Sequence, residues 1–199
     1  MKFTTTDVPG VAIIDLNLLE DDRGFFARMF CREEFVAAGL EPTVEQGNMS
    51  FNHKAGTLRG MHLQVQPAPE AKTIRCTRGA ILDVIVDLRH GSPTRFQHVA
   101  VELTADNRKA LYVPPFFAHG YLTLADDTEV TYLVSGAYQP GVERGLRHDD
   151  PKLGLSWPVP ITTMSEKDRN WPLIGSPEAS WVDDASLTPG TPVVESVNA

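Results

Sequence analysis

ILDVIVDL, residues 81–88, is the stretch on which the fold turns: branched apolar residues interrupted by Asp83 and Asp87, the composition of a β-strand. Working outward, HVAVEL at 98–103 alternates polar and apolar, and ALYV at 110–113 and TEVTYLV at 128–134 carry further strand signals. VAII at 11–14 is a short apolar run of the same kind. Turn clusters separate these runs: Arg89-His90-Gly91-Ser92-Pro93, Ala105-Asp106-Asn107, Ala125-Asp126-Asp127 and Gln139-Pro140-Gly141. Many short strands spaced about ten residues apart indicate an antiparallel sandwich or barrel. Helix signals are few. Arg32 to Leu40 predicts about two turns ended by Gly39, and Ser165 to Asp168 starts another turn.

The chain has 199 residues, 42% of them hydrophobic and 22% charged, within the range of ordinary globular domains. Its length predicts one domain, over 1–175. The remainder, 176–199, has four acidic residues, no basic one and three prolines, and reads as a mobile tail in which Trp181 alone docks. Eighteen basic against 26 acidic residues give a formal charge of −8. That balance argues against a nucleic-acid partner, which needs a basic field. An anionic small ligand would need a local Arg/Lys cluster. Cys31 and Cys76 are too few for a disulfide scaffold and read as small buried hydrophobes. No apolar run reaches the ~20 residues of a membrane span, so no membrane partner is expected. The first residues lack the apolar core of a signal peptide, which makes the cytoplasm the default compartment.

Candidate chemistry concentrates in Gln46 to Ser50 and Thr57 to Gln64, followed by Lys72, Arg75 and Arg78 and, later, Ala118-His119-Gly120-Tyr121. If 57–64 is a strand, His62 and Gln64 share a face, and Gly60 shares it too. Polar side chains pointing into a small barrel must be hydrogen-bonded or serve a ligand. A barrel with His-x-His, a later Glu and a distant His would bind a transition metal. Here Gln64 replaces the second His, and Lys72, two residues past Glu70, disfavours a dication; no metal and no cofactor is expected.

Seven motifs occur in order: Asp22-Arg23-Gly24-Phe25-Phe26; Gln46-Gly47-Asn48-Met49-Ser50; Gly56 through Gln64 with Lys72; Asp83 through Arg89 with Ser92-Pro93-Thr94; Phe117 through Tyr121; Glu129 through Tyr132; and Met164 through Asp168. Together, over roughly Val8 to Pro172, they resemble the dTDP-4-dehydrorhamnose 3,5-epimerase family. The resemblance implies an all-β fold, a cupin-type jelly-roll barrel with a few short helices. It also implies an isomerase with a metal-free site, a homodimer and a dTDP-linked 4-keto sugar substrate.

The residues suit that chemistry. A carbonyl acidifies both adjacent carbons, so epimerisation needs a base on one face, an acid on the other and a group to hold the enolate oxygen. His62 is the natural base, with an unperturbed pKa of ~6.5. By resemblance, Asp168 accepts the other ring N–H, Lys72 faces the developing oxyanion, and Tyr132 returns a proton from the opposite face. His119 resembles a second substrate-contacting histidine. No Gly-rich phosphate loop is present, so arginines must hold the diphosphate. Arg23, Arg59 and Lys167 match family positions for this, Gln46, Asn48 and Glu143 match polar contacts, and Tyr138 matches an aromatic contact. In the family, the Arg23 segment reaches the neighbouring subunit.

The sequence departs from the family pattern at Arg28, at Pro115-Phe116 and at His148, positions expected to contact nucleotide or sugar. The leading expectation is epimerisation at C3 and C5 of a dTDP-linked 4-keto-6-deoxyhexose, with a 3-only or 5-only epimerase as the alternative within the family. A metal-dependent cupin oxygenase and a non-catalytic sugar-nucleotide binder are the rivals outside it.

Overall fold

A computed structural model describes residues 1–184 and 187–188. The elements are β1 (Lys2–Thr5), β2 (Ala12–Asp15), β3 (Leu19–Asp21), β4 (Gly24–Phe26), α1 (Arg32–Ala37), β5 (Gln46–Asn52), β6 (Thr57–Gln64), β7 (Lys72–Arg78) and β8 (Ala80–Asp87). They continue with β9 (His98–Thr104), β10 (Ala110–Val113), β11 (Phe117–Thr123), β12 (Thr128–Val134), β13 (Glu143–Gly145), β14 (Thr163–Met164), α2 (Glu166–Arg169) and a 3-10 helix, Pro177–Asp183. One sheet has the order β1-β2-β10-β7-β12-β5. The other runs β13-β6-β11-β8-β9, with β14 lying parallel to the start of β6. β3 and β4 form a separate hairpin. Strand neighbours far apart in sequence, such as β2 beside β10 and β5 beside β12, give the jelly-roll arrangement that the family resemblance implies, where strand spacing alone indicated a sandwich or barrel. No helix among the described residues is long and apolar enough to cross a membrane.

Three apolar clusters hold the layers together. Ile74, Ile81, Ile85, Leu111 and Val130 fill the space between the sheets. Val84, Val86 and Leu88 point to the other side of the second sheet, where Leu146, Leu153, Ile174, Ala179, Val182 and Leu187 cover them. The run at 81–88 is therefore buried on both faces, which is why its apolar residues scarcely alternate with polar ones. Its two aspartates are fully buried and held by side chains: Asp83 by His119, and Asp87 by Arg89, Ser92 and Thr94. On the outer face of the first sheet, α1 lays Phe35 over Ile14, Ala110 and Tyr112. Burying a ring of that size contributes about 1.5–3 kcal/mol. The helix stops short of the expected Leu40, and Gly39 takes the left-handed conformation (φ +72°) that turns the chain away.

The expected tail boundary requires correction. Beyond Ser176 the chain continues as the 3-10 helix, and Ala179, Val182 and Leu187 join Ile174 in the buried cluster over the second sheet. Trp181 packs there as well, but it is not the sole anchor. Small and branched apolar residues spaced three to five apart dock this segment despite its acidity. The rest of the expected tail, 185–186 and 189–199, lies outside the described residues.

Candidate active site

β5 is inside out. Gln46, Asn48 and Ser50 face a cavity between the two sheets and Asn52 is buried, while Met49 and Phe51 are exposed on the outer surface. The cavity has a volume of about 600 Å³. Of the residues singled out from sequence, Gln46, Asn48, Arg59, His62, Lys72, His119, Tyr132, Tyr138, Glu143, Lys167 and Asp168 all line it. Arg23 does not: its side chain is 89% exposed on the β3–β4 hairpin and pairs with Asp21. Arg28, Pro115, Phe116 and His148 do not line it either, contrary to the expectation that they contact the ligand. Arg28 pairs with Glu34 at the surface, Phe116 belongs to the core, and the His148 carbonyl accepts a hydrogen bond from the Trp157 indole.

A β-bulge brings Arg59 and His62 to one face. His119 on β11 pairs with His62, and two residues later Tyr121 pairs with Arg59, so β6 carries one extra residue between them. The expectation that Gly60 shares the face of His62 and Gln64 is corrected by this bulge: Arg59 takes that place. Gly60 has φ +148°, and a Cβ there would lie 2.6 Å from the Gly120 Cα. A Cβ on Gly120 would lie 2.6 Å from the Met61 sulfur. Two facing glycines thus let the bulged strands approach.

His62 Nε2 lies 2.6 Å from Asp168 Oδ1. Burial pushes the Asp168 carboxyl up, but hydrogen bonds from His62, the Gly60 N–H and Ser165 hold it below the usual carboxylate value. An ionised carboxylate only accepts, so Nε2 carries the proton and Nδ1 is left as the basic nitrogen. Asp168 is fixed because Ser165 caps α2, accepting from the Asp168 N–H at 3.0 Å. The Trp171 ring stands edge-on to His62 at 5.9 Å and fills the space above Gly145, where a Cβ would fall 2.2 Å from it. His119 Nε2 makes a second short contact, 2.6 Å to Asp83.

Lys72 Nζ lies 3.0 Å from Glu70, whose other oxygen accepts from Gln64 at 2.8 Å. Gln64 also donates to the Ala68 and Ala137 carbonyls and accepts from the Gln139 N–H, so it ties the cavity floor to the loop bearing Tyr138. Among the described residues, no three His, Cys, Asp or Glu side chains form a metal-ligand group. At the rim Lys167 pairs with Glu143. Arg59 has neutral partners, Asn52 Oδ1 at 2.8 Å and the Phe51 carbonyl at 3.5 Å. Burial pushes the Tyr132 phenol well above the ordinary tyrosine value; neighbouring Tyr121 adds to this, and a hydrogen bond with Ser50 opposes it.

Sequence reasoning assigned no role to Ser50, Asn52, Tyr121, Asp83 or Trp171. Four polar residues at period two, Gln46, Asn48, Ser50 and Asn52, were the available signal for the first two.

A sequence profile described as dTDP-4-dehydrorhamnose 3,5-epimerase matches residues 5–176. The chain is 40% identical over 173 residues to a dTDP-4-dehydrorhamnose 3,5-epimerase of Sinorhizobium fredii, covering 86% of this chain and 89% of the relative. Among solved structures, a Bacillus anthracis dTDP-4-dehydrorhamnose 3,5-epimerase with TDP and PPi bound superposes with a TM-score of 0.84 at 39% identity, covering 87% of this chain and 99% of the other. A 3'-monoepimerase from Streptomyces bikiniensis in complex with dTDP-quinovose superposes at 0.78 with 35% identity, covering 84% and 85%.

Proposed function

The chain belongs to the dTDP-4-dehydrorhamnose 3,5-epimerase family, and from that premise we propose that it epimerises a dTDP-linked 4-keto-6-deoxyhexose at C3 and C5, with His62 as base and Tyr132 as acid. The observation that carries the reading is the placement of these two groups. His62 comes from β6 in one sheet and Tyr132 from β12 in the other, and both line the same cavity. A flat enolate held between the sheets meets the base on one face and the phenol on the other.

His62 Nδ1 takes the hydrogen from the carbon beside the ketone, and the electron pair moves to the carbonyl oxygen. Lys72 supplies a cation for that oxygen; removing one such donor commonly costs ~3–4 kcal/mol of transition-state stabilisation. Tyr132 then gives its hydroxyl proton to the same carbon from the far side, inverting it. Solvent reaching the cavity removes the proton from His62 and restores the one on Tyr132. Asp168 keeps Nε2 protonated throughout. Arg59 has a planar fork suited to a diphosphate, and its partners are neutral. Gln46, Asn48, Tyr138, Glu143, Lys167 and His119 contact the remainder of the ligand.

A second reading, inversion at C3 alone, is favoured by the likeness to the Streptomyces bikiniensis 3'-monoepimerase. The assembly proposed is a homodimer. The exposed Phe25, Phe26, Met49 and Phe51 supply apolar surface for a second copy. Incubation with dTDP-4-keto-6-deoxyglucose in deuterated water, read by NMR, tests both reactions. Deuterium at C3 and C5 of an inverted product is the expected result, deuterium at C3 alone selects the second reading, and none at either carbon overturns both.

A further inference from the structure

Five polar side chains form one hydrogen-bonded chain that ends at Tyr132, and its direction follows from its first link. Arg59 can only donate, and its Nε points at Asn52 Oδ1, 2.8 Å away. That fixes the amide, so Asn52 Nδ2 is the donor on the other side. One of its hydrogens serves the Thr128 carbonyl and the other the Tyr121 hydroxyl, each at 3.2 Å. Tyr121 accepts there and directs its own hydrogen elsewhere. Ser50 Oγ, at 2.8 Å, is nearer than Asn52 Oδ1 at 3.4 Å. Ser50 then accepts from Tyr121, and its own hydrogen points to the Tyr132 oxygen at 3.0 Å. Asn52 and Tyr121 are 2% and 1% exposed, so water does not compete for the link between them, while Ser50 and Tyr132 are half-buried at the cavity wall.

Resting on the reading of Tyr132 as the acid, we propose that Ser50 is a positioning residue that aims the Tyr132 proton into the cavity and stabilises the phenolate left after transfer. The Tyr132 oxygen accepts from Ser50 and keeps its own hydrogen for the ligand. When that hydrogen moves to the enolate carbon, the C–H bond forms, the phenolic O–H bond breaks, and the negative charge comes to the phenolate oxygen. Ser50 continues to donate to that oxygen, and no proton changes owner within the chain. Burial alone raises the cost of a phenolate at this position, and the Ser50 hydroxyl is the protein group that offsets it. The charge of Arg59 at the far end polarises each link in the same direction.

Ser50 serves the acid and not the base, so its loss separates two rates that a general loss of structure would lower together. The experiment uses the full-length protein with dTDP-4-keto-6-deoxyglucose in deuterated water. NMR follows the formation of inverted product and the wash-out of hydrogen into recovered, uninverted substrate, which needs only His62. For Ser50→Ala we expect inverted product to form about 10–100-fold more slowly. Wash-out and KM are expected to stay within about threefold of wild type, the span of a change that leaves the base untouched. Ser50→Thr, which keeps the hydroxyl, restores most of the product rate. Tyr121→Phe, which leaves Ser50 but removes its donor, lowers the ratio of product to wash-out by less. The proposal is overturned if Ser50→Ala forms product at the wild-type rate, if product and wash-out fall together, or if Ser50→Thr is no better than Ser50→Ala. A wild-type protein that exchanges neither hydrogen overturns the epimerase reading along with it.

Discussion

His62 and His119 stand opposite each other on β6 and β11, each with Nε2 2.6 Å from a carboxylate oxygen of its own aspartate. The two pairs are alike in chemistry and differ in access. The His62 side chain is 28% exposed and the His119 side chain 7%. Asp83 lies within β8 and is fully buried, while Asp168 reaches His62 from α2 outside the sheet. A base must present a nitrogen to the ligand and exchange protons with solvent, which favours His62. His119, edge-on to the Tyr132 ring at 6.3 Å, walls the side of the cavity on which Tyr132 stands.

Replacing His62, the proposed base, and replacing its partner should therefore have different effects. His62→Ala is expected to lower both exchange and inversion by about 10²–10⁴-fold. Asp168→Asn loses the fixed acceptor, so the Nε2–H tautomer is no longer held; kcat falls while KM stays within a few-fold. Steady-state kinetics on the two variants check this. A large rise in KM with unchanged kcat for Asp168→Asn would make it a ligand-binding residue instead.

The bulge that sets Arg59 beside His62 depends on two missing Cβ atoms. Gly120→Ala places a methyl 2.6 Å from the Met61 sulfur, 2.8 Å from the Arg59 carbonyl and 2.9 Å from the Gly60 Cα. Two of those three contacts are backbone and cannot swing aside. The expected cost is about 1–3 kcal/mol, with activity falling as Arg59 and His62 are displaced. Gly47→Ala, where nothing lies within 4 Å of the new Cβ, is the control and should stay within about 0.5 kcal/mol. Urea unfolding midpoints measure both.

Asp87 should make stability depend on pH at the acid end. Burial pushes its carboxyl up, but hydrogen bonds from the Arg89 side chain, Ser92, Thr94 and the Arg89 N–H hold it below its ordinary value of 3.8. A depressed folded value means that the unfolded chain binds the proton first. The contribution is then fully present above pH 3.8 and is lost as the pH falls through the lower folded value. Asp168 is shifted in the same direction and adds to the trend. Asp87→Asn leaves the Arg89 guanidinium, 19% exposed, without its carboxylate. Breaking such a pair costs about 3–5 kcal/mol at neutral pH. Urea unfolding of both proteins between neutral and acid pH should show a gap that narrows on acidification. A gap independent of pH would remove Asp87 as a titrating contributor.

How far the sequence could be read depended on how local each cause was. ALYV at 110–113 and TEVTYLV at 128–134 coincide with β10 and β12 because their composition and flanking turns act within a few residues. β1, β3, β4 and β13 carry no such signal: β1 is a strand by pairing with β2, β3 and β4 by pairing with each other, and β13 by finding β6, about eighty residues earlier. Arg59, His62 and Gln64 were legible as polar side chains where a barrel should be apolar, whereas Tyr132, Tyr138, Glu143, Lys167 and Asp168 were reached only through the resemblance to the family. The bulge at Gly60 was not, because it arises from the meeting of β6 with Gly120 on β11. The described residues after Ser176 read as tail by their charge, yet dock through Ala179, Val182 and Leu187, whose burial depends on β6, β8 and β11, strands far earlier in the chain.

Arg23 is the remaining residue to place, and the proposed homodimer would account for it through a shared site. Its segment resembles one that reaches the neighbouring subunit, and in the single chain its side chain stands 89% exposed, outside the cavity. Its partner Asp21 is also exposed, and such a surface pair holds a side chain weakly, so Arg23 is free to exchange it for a phosphate. Phe25 and Phe26 beside it are 45% and 71% exposed, which suits an arm that packs on another copy better than one left in water. In a C2 dimer the two arms would cross reciprocally, each cavity receiving Arg23 from its neighbour. Mixing tests this. Arg23→Ala and His62→Ala homodimers should each be impaired, the first mainly in KM and the second in kcat. In a dimer with one subunit of each kind, the cavity that keeps His62 receives the intact Arg23 of the other chain, while the second cavity lacks both. Co-refolded mixtures should therefore recover activity, approaching one working site per heterodimer. A dimer by light scattering that recovers nothing would return Arg23 to its own subunit's surface, and a monomer would remove the shared site altogether.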